Sequence, residues 1–138
     1  MKIRADWQGG LSFIGQGESG HEILMDASRS AGGEDRGARP MELLLHGLAG
    51  CMGIDVVMIL QKMQAEIEDL EIQVQGKRAE EHPRRFLEIT ISFRISGKGL
   101  DDNKVSRAVE LSHSKYCSAS NSLTAEIITD YSYNNLEQ

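Results

Sequence analysis

The feature that most constrains this chain is an almost uninterrupted apolar run at residues 43–60, "LLLHGLAGCMGIDVVMIL". It follows Pro40, a residue suited to the first helical position, where its missing N–H has no partner to lose. The spacing predicts one helix from residue 41 to about residue 65, apolar around most of its circumference until "QKMQAEIED". A helix of that kind must be covered on most sides. Gly47, Gly50 and Gly53 let another backbone come close, which points to helix-on-helix contact and to local strain. His46 and Asp55 interrupt the run, and with its glycines it reads as a core helix and not as a bilayer span.

The flanking segments supply sheet to cover it. Ile3, Ala5 and Trp7 alternate with polar residues, "QGG" turns the chain, and Leu11 and Phe13 alternate again. "GQGESG" is a second turn, followed by a short strand at residues 22–26. Residues 28–39, "SRSAGGEDRGAR", hold three glycines and three arginines and no large apolar side chain, so they form a loop. After the long helix comes the clearest hairpin. Leu70, Ile72 and Val74 alternate with polar residues, as do Leu87, Ile89, Ile91, Phe93 and Ile95, so each strand has one buried face and one wet face. The connection "AEEHPRR" is charged and should protrude. "DDNK" offers N-caps for a second helix at about residues 103–114, with Val105, Ala108, Val109 and Ser112 as its inner stripe. "YCSASNSL" either continues that helix or begins a short new one, and "AEIITDYSY" closes with a strand. The order β-β-β-α-β-β-α-(α)-β indicates an α+β fold, read as a single domain over residues 1–138.

Charge narrows the partners. The 138 residues carry a net charge of −6, and the dense basic groups are only Lys77-Arg78 and Arg84-Arg85. Nucleic acid binding needs a concentrated basic surface, so no nucleic acid partner is expected. "MKIRADWQGG" lacks the apolar run of a signal peptide. A cytoplasmic protein with no membrane partner is the expectation. In a reducing cytosol a disulfide is more often transient and catalytic than a permanent staple.

Two cysteines are the chemistry-bearing residues. Cys51 sits in mid-helix among Gly47, Ala49, Gly50 and Gly53, small neighbours that leave space beside the sulfur. It reads either as a buried thiol acting as a small hydrophobe or as a reactive one in an open setting. Three turns into the helix it gains little from the dipole, and Asp55, one turn on, would disfavour its thiolate from the same face. Cys117 lies among serines beside Lys115 and Tyr116, with His113 four residues earlier, as a neighbour or as an ordinary exposed histidine. A zinc site from Cys51, Cys117, His46 and His113 lacks the close spacing of a strong metal signal. No metal or other cofactor is expected. "GGEDRG" precedes a helix but does not meet the P-loop pattern.

The segments "RPMELLLHGLAGCMGIDVVMIL" and "SKYCSASNSL", in this order around a hairpin, resemble the OsmC/Ohr family of thiol-dependent hydroperoxide reductases, in particular its OsmC-like branch. The likeness runs through nearly the whole chain. It implies an OsmC-like fold in an intertwined homodimer, with the central helices packed between two sheets and active sites at the subunit interface. By the family pattern Cys51 matches the peroxidatic cysteine and Cys117 the resolving one. A hydroperoxide would be the substrate, and an external thiol or dithiol the reductant. Arg29, 11 residues before Pro40, matches the catalytic arginine, with Arg36 and Arg39 as rivals in the same loop. One position departs from the pattern. The family peroxidases carry a glutamate directly after the helix-opening proline, and here that residue is Met41, with Glu42 about 100° further round the helix. The alternative on the same scaffold is a non-enzymatic small-molecule binder, or thiol chemistry on another electrophile.

Overall fold

The computed structural model describes residues 1–136. The chain forms two compact units, one ending at Leu44 and the other beginning at Leu45. The class is α+β, as the element order implied.

In the first unit, β1 (Ile3–Trp7), β2 (Phe13–Gly17) and β3 (Glu22–Met25) form an antiparallel sheet in chain order. Trp7 pairs with Phe13, and Phe13 with Met25. The first turn needs Gly9 and Gly10, both at positive φ, and the Trp7 indole Nε1–H donates to the Gly10 carbonyl at 2.9 Å. Ile3, Trp7, Phe13 and Ile23 are all exposed in the single chain.

The loop after β3 contains one 3-10 turn, Arg29–Ala31, and is organised by Asp26. This carboxylate is only 2% exposed. It accepts the backbone N–H groups of Ala27 (2.7 Å), Glu34 (3.2 Å) and Arg36 (3.1 Å). Burial pushes its carboxyl up, but those donors, together with the Arg36 charge, outweigh burial and hold it below the ordinary value. Gly33 is obligatory nearby, because a Cβ there would run into the Ala27 carbonyl. The long helix α1 (Pro40–Lys62) then starts with proline in its first position. Glu42 turns back to accept the Arg39 N–H at 3.2 Å, half of a capping box. That is the work the structure gives to the displaced glutamate.

In the second unit α1 buries one stripe. Leu48, Met52, Val56 and Leu60, one turn apart, are each 0% exposed. Ile54 and Met58 remain 63% and 51% exposed. Cover on most sides, expected from the sequence, is thus met on one face of the single chain, because one sheet can cover only one face. The helix is long and apolar enough, by length and composition, to cross a membrane, a test that the core helices of soluble proteins pass as well.

The sheet comprises β4 (Glu66–Arg78), β5 (Phe86–Lys98) and β6 (Glu126–Asn135), in the order β4-β5-β6. β4 and β5 are antiparallel, and β6 joins β5 in parallel. Ile89, Ile91, Phe93 and Ile95 are at most 1% exposed, as alternation required. Leu87 departs from that expectation at 40% exposed, while Phe86 is buried. Arg78 pairs with Phe86 but Lys77 with Glu88, so Leu87 is an extra residue that reverses the alternation. Ile72 of β4 reaches α1 at Gly53, where a Cβ would lie 2.8 Å from its terminal carbon.

The connection to β6 is helical. α2 (Asp102–Leu111) is capped by the Asp101 side chain, which accepts the Lys104 N–H at 2.8 Å. Val105, Ala108, Val109 and Ser112 are all buried, the stripe read from the sequence. A π-helical turn, Ser112–Tyr116, ends α2, and a separate short helix α3 (Ser118–Asn121) follows.

The Asp26 arrangement carries a pH dependence. A depressed carboxyl stabilises the folded loop above the unfolded value of about 3.9 and loses that effect as pH falls through the lower folded value. Asp26→Asn should speed hydrogen exchange at the Ala27, Glu34 and Arg36 amides at neutral pH. In the wild type, NMR should show the same amides loosening only below about pH 4.

Candidate functional site

The site stands on the face of α1 fixed by its buried stripe. Cys51 and Asp55 are four residues apart and therefore share that side of the helix. The π-helical turn brings the third group. The Cys117 N–H donates to the Ser112 carbonyl at 2.8 Å, closing a ring one residue wider than an α-turn. Cys117 then leaves the helical region at ψ 105 and becomes the N-cap of α3. Its sulfur accepts the Ser120 N–H at 3.2 Å. Its carbonyl accepts the Ser120 hydroxyl at 3.2 Å and the Asn121 side-chain amide at 2.7 Å.

The Cys51 sulfur, a carboxylate oxygen of Asp55 and the Cys117 sulfur all lie within 4.8 Å of one another. Both cysteines are free thiols. Asp55 is positioned from the far side by the Ser112 hydroxyl, 3.3 Å from the Asp55 Oδ2 and 3.3 Å from the Met52 carbonyl. Ser112 is fully buried, so its proton must go to one of these two acceptors.

The two thiols differ in surroundings. Cys117 is 0% exposed, whereas Cys51 is half-buried. Burial pushes the Cys117 thiol up, the Ser120 hydrogen bonds pull it part-way back, and the neighbouring Cys51 pushes it up again.

A cavity of about 380 Å³ adjoins the group, lined by Asp55, Met58, Ile59, Lys62, Met63, Leu111 and Tyr116. Asp55 belongs both to the donor group and to the cavity wall.

Two of the residues singled out in the sequence are thus brought together, Cys51 and Cys117. His46 and His113 are not in the donor group. Arg29 lies in the first unit, exposed on its 3-10 turn. Its rivals are engaged locally. The Arg39 guanidinium holds Asp35 at 2.6 Å and the Gly37 carbonyl at 2.9 Å, and Arg36 lies 3.8 Å from Glu34. Asp55 carried a signal in the sequence, its four-residue offset from Cys51. Ser112 and Ser120 carried none as partners, because Ser112 meets Asp55 only across the packed helices and Ser120 meets the Cys117 sulfur only through the N-cap of α3.

Residues 32–132 match the OsmC-like protein family, and the chain belongs to it. Among its relatives, protein YhfA of Escherichia coli K12 is 41% identical over 133 residues, which cover 96% of each chain. The crystal structure of a hypothetical protein from Aquifex aeolicus superposes at TM-score 0.86 with 30% identity, over 99% of this chain and 97% of the other. The organic hydroperoxide resistance protein OhrB of Bacillus subtilis shares the fold at TM-score 0.61 and 22% identity, over 96% of each chain.

Exposure sets the two thiols apart, and burial raises the proton affinity of Cys117. Iodoacetamide at neutral pH should alkylate Cys51 well before Cys117, as followed by peptide mass mapping. Cys117 should become reactive only on unfolding or at raised pH. Equal labelling rates in the folded protein would contradict the environments described above.

Proposed function

We propose that this protein is a thiol-dependent peroxidase that reduces organic hydroperoxides or hydrogen peroxide through a Cys51–Cys117 dithiol–disulfide cycle. The observation that supports it most is the approach of two free sulfurs, one half-open and one buried, to within 4.8 Å. The Cys51 thiolate attacks the terminal peroxide oxygen. The O–O bond breaks, a sulfenic acid forms, and the alkoxide leaves as the alcohol after taking a proton. The Cys117 thiol then displaces the hydroxyl of the sulfenic acid, giving the disulfide and one water. An external dithiol returns both cysteines to thiols and is itself oxidised to a disulfide.

In this reading a guanidinium holds the thiolate and orients the peroxide. Arg29 is assigned that role by its match to the family's catalytic arginine, and its rivals Arg39 and Arg36 face Asp35 and Glu34. Met41 removes the family's orienting glutamate. The reading takes residues 1–138 as one OsmC-like domain working in the cytoplasm, without nucleic acid or membrane partners. Wild type should consume cumene hydroperoxide or hydrogen peroxide with a dithiol reductant. Cys51→Ser should abolish turnover, and Arg29→Ala should lower it. Turnover that is absent, or unchanged in Cys51→Ser, would remove the peroxidase reading. The 380 Å³ cavity would then favour the second reading, a small-molecule binder.

The same proposal includes a homodimer. Ile3, Trp7 and Phe13 in the first unit, and Ile54 and Met58 in the second, are each more than 40% exposed in the single chain, and large exposed apolar side chains mark candidate interaction surfaces. Light scattering at micromolar concentration should give twice the chain mass. A stable folded monomer would contradict it.

A further inference from the structure

We propose that Cys51, Asp55 and Cys117 form a binding site for a thiophilic divalent cation of the zinc type, with three protein ligands and a fourth position left for water or an exogenous ligand. The inference rests on the donor geometry and not on peroxide chemistry. Two sulfurs and a carboxylate oxygen within 4.8 Å of one another are a donor set that suits zinc. Bonds of about 2.0–2.3 Å in a tetrahedron put neighbouring donors a little under about 4 Å apart. The group therefore closes on an ion by small side-chain rotations, with no change of backbone.

The outer contacts of a metal site are present as well. Ligating thiolates and carboxylates are ordinarily held by hydrogen bonds from behind. Here the Ser120 N–H donates to the Cys117 sulfur at 3.2 Å, and the buried Ser112 hydroxyl faces Asp55 Oδ2 at 3.3 Å. Cys51 and Asp55 are placed by one rigid helix, one turn apart, and Cys117 by the π-turn. Cys51 and Asp55 lie within α1, and Cys117 is the single junction residue between the π-turn and α3.

Charge points the same way. A doubly charged cation suits this donor set, because it gathers three anionic donors and leaves the group with one net negative charge. The histidines considered in the sequence are not needed. The third donor comes from the carboxylate one turn beyond Cys51.

Cobalt(II) is the probe. Added to the protein reduced with a phosphine, it should produce a thiolate-to-cobalt charge-transfer band that saturates at one ion per chain, and zinc should displace it. Cys51→Ser and Cys117→Ser should each lose the intensity of one thiolate. Asp55→Asn, nearly isosteric, should bind at least about tenfold more weakly, and Ser112→Ala about tenfold, with circular dichroism confirming that each variant is folded. Lys115→Ala, outside the donor group, should bind as wild type does. No saturable band, unchanged affinity in Asp55→Asn, or saturation at one cobalt per two chains would overturn the three-donor site. These readouts involve no peroxide, so failure of the metal site and failure of the peroxidase reading are separately visible.

Discussion

Everything at the site depends on how α1 is held. Leu48, Met52, Val56 and Leu60 are fully buried, each contributing about 1.5–3 kcal/mol by removal from water. That stripe settles which way the helix faces. Gly53 lets Ile72 of β4 come against the helix, and the Ser112 hydroxyl meets the Met52 carbonyl from α2's end. The rotation of α1 is thereby fixed from two directions. Cys51 and Asp55, just off the stripe, are presented to the segment that carries Cys117. A helix free to rotate by one residue, about 100°, would carry Cys51 away from Cys117.

The π-turn is the second determinant. Had α2 continued as an ordinary helix, Cys117 would have followed the helical path set by Val105, Ala108 and Val109. The wider turn spends one extra residue, and the Cys117 N–H bonds back to Ser112 instead of His113. Single π-turns recur where a side chain has to be re-aimed. Here the turn lets Cys117 cap a new helix with its own sulfur, which fixes the thiol by a backbone donor and not by apolar packing alone.

How much of this was legible depends on whether the signal is local. Alternation at Ile89, Ile91, Phe93 and Ile95 gave the buried face of β5 directly, and "DDNK" gave the start of α2. The bulge at Leu87 has no local signature, since it appears only when two strands must agree on a register. The inner stripe of α2 was readable through Ser112, but the π-turn that follows was not, because its residues are compatible with an ordinary helix. Cys51 and Asp55 share a face by spacing alone. Their nearness to Cys117 came from family resemblance, and no periodicity would have supplied it. The loop of residues 28–39 read as irregular, yet its order comes from Asp26, a single acid just before it whose three backbone donors lie up to ten residues downstream.

Asp55 is the residue that most sharply limits the chemistry. Its carboxylate lies within 4.8 Å of both sulfurs, and like charges that close repel. Positive charge brought to the group offsets that repulsion, while the Ser112 hydroxyl, shared with the Met52 carbonyl, is a weak counterweight. A guanidinium supplies one charge at the end of a flexible arm and leaves the sulfur open to an electrophile. A divalent ion supplies two, inside the donor group, and occupies the sulfur. The two proposed compensations would exclude each other at Cys51: beside a guanidinium the thiol would act as a nucleophile, and around a divalent ion it would act as a ligand.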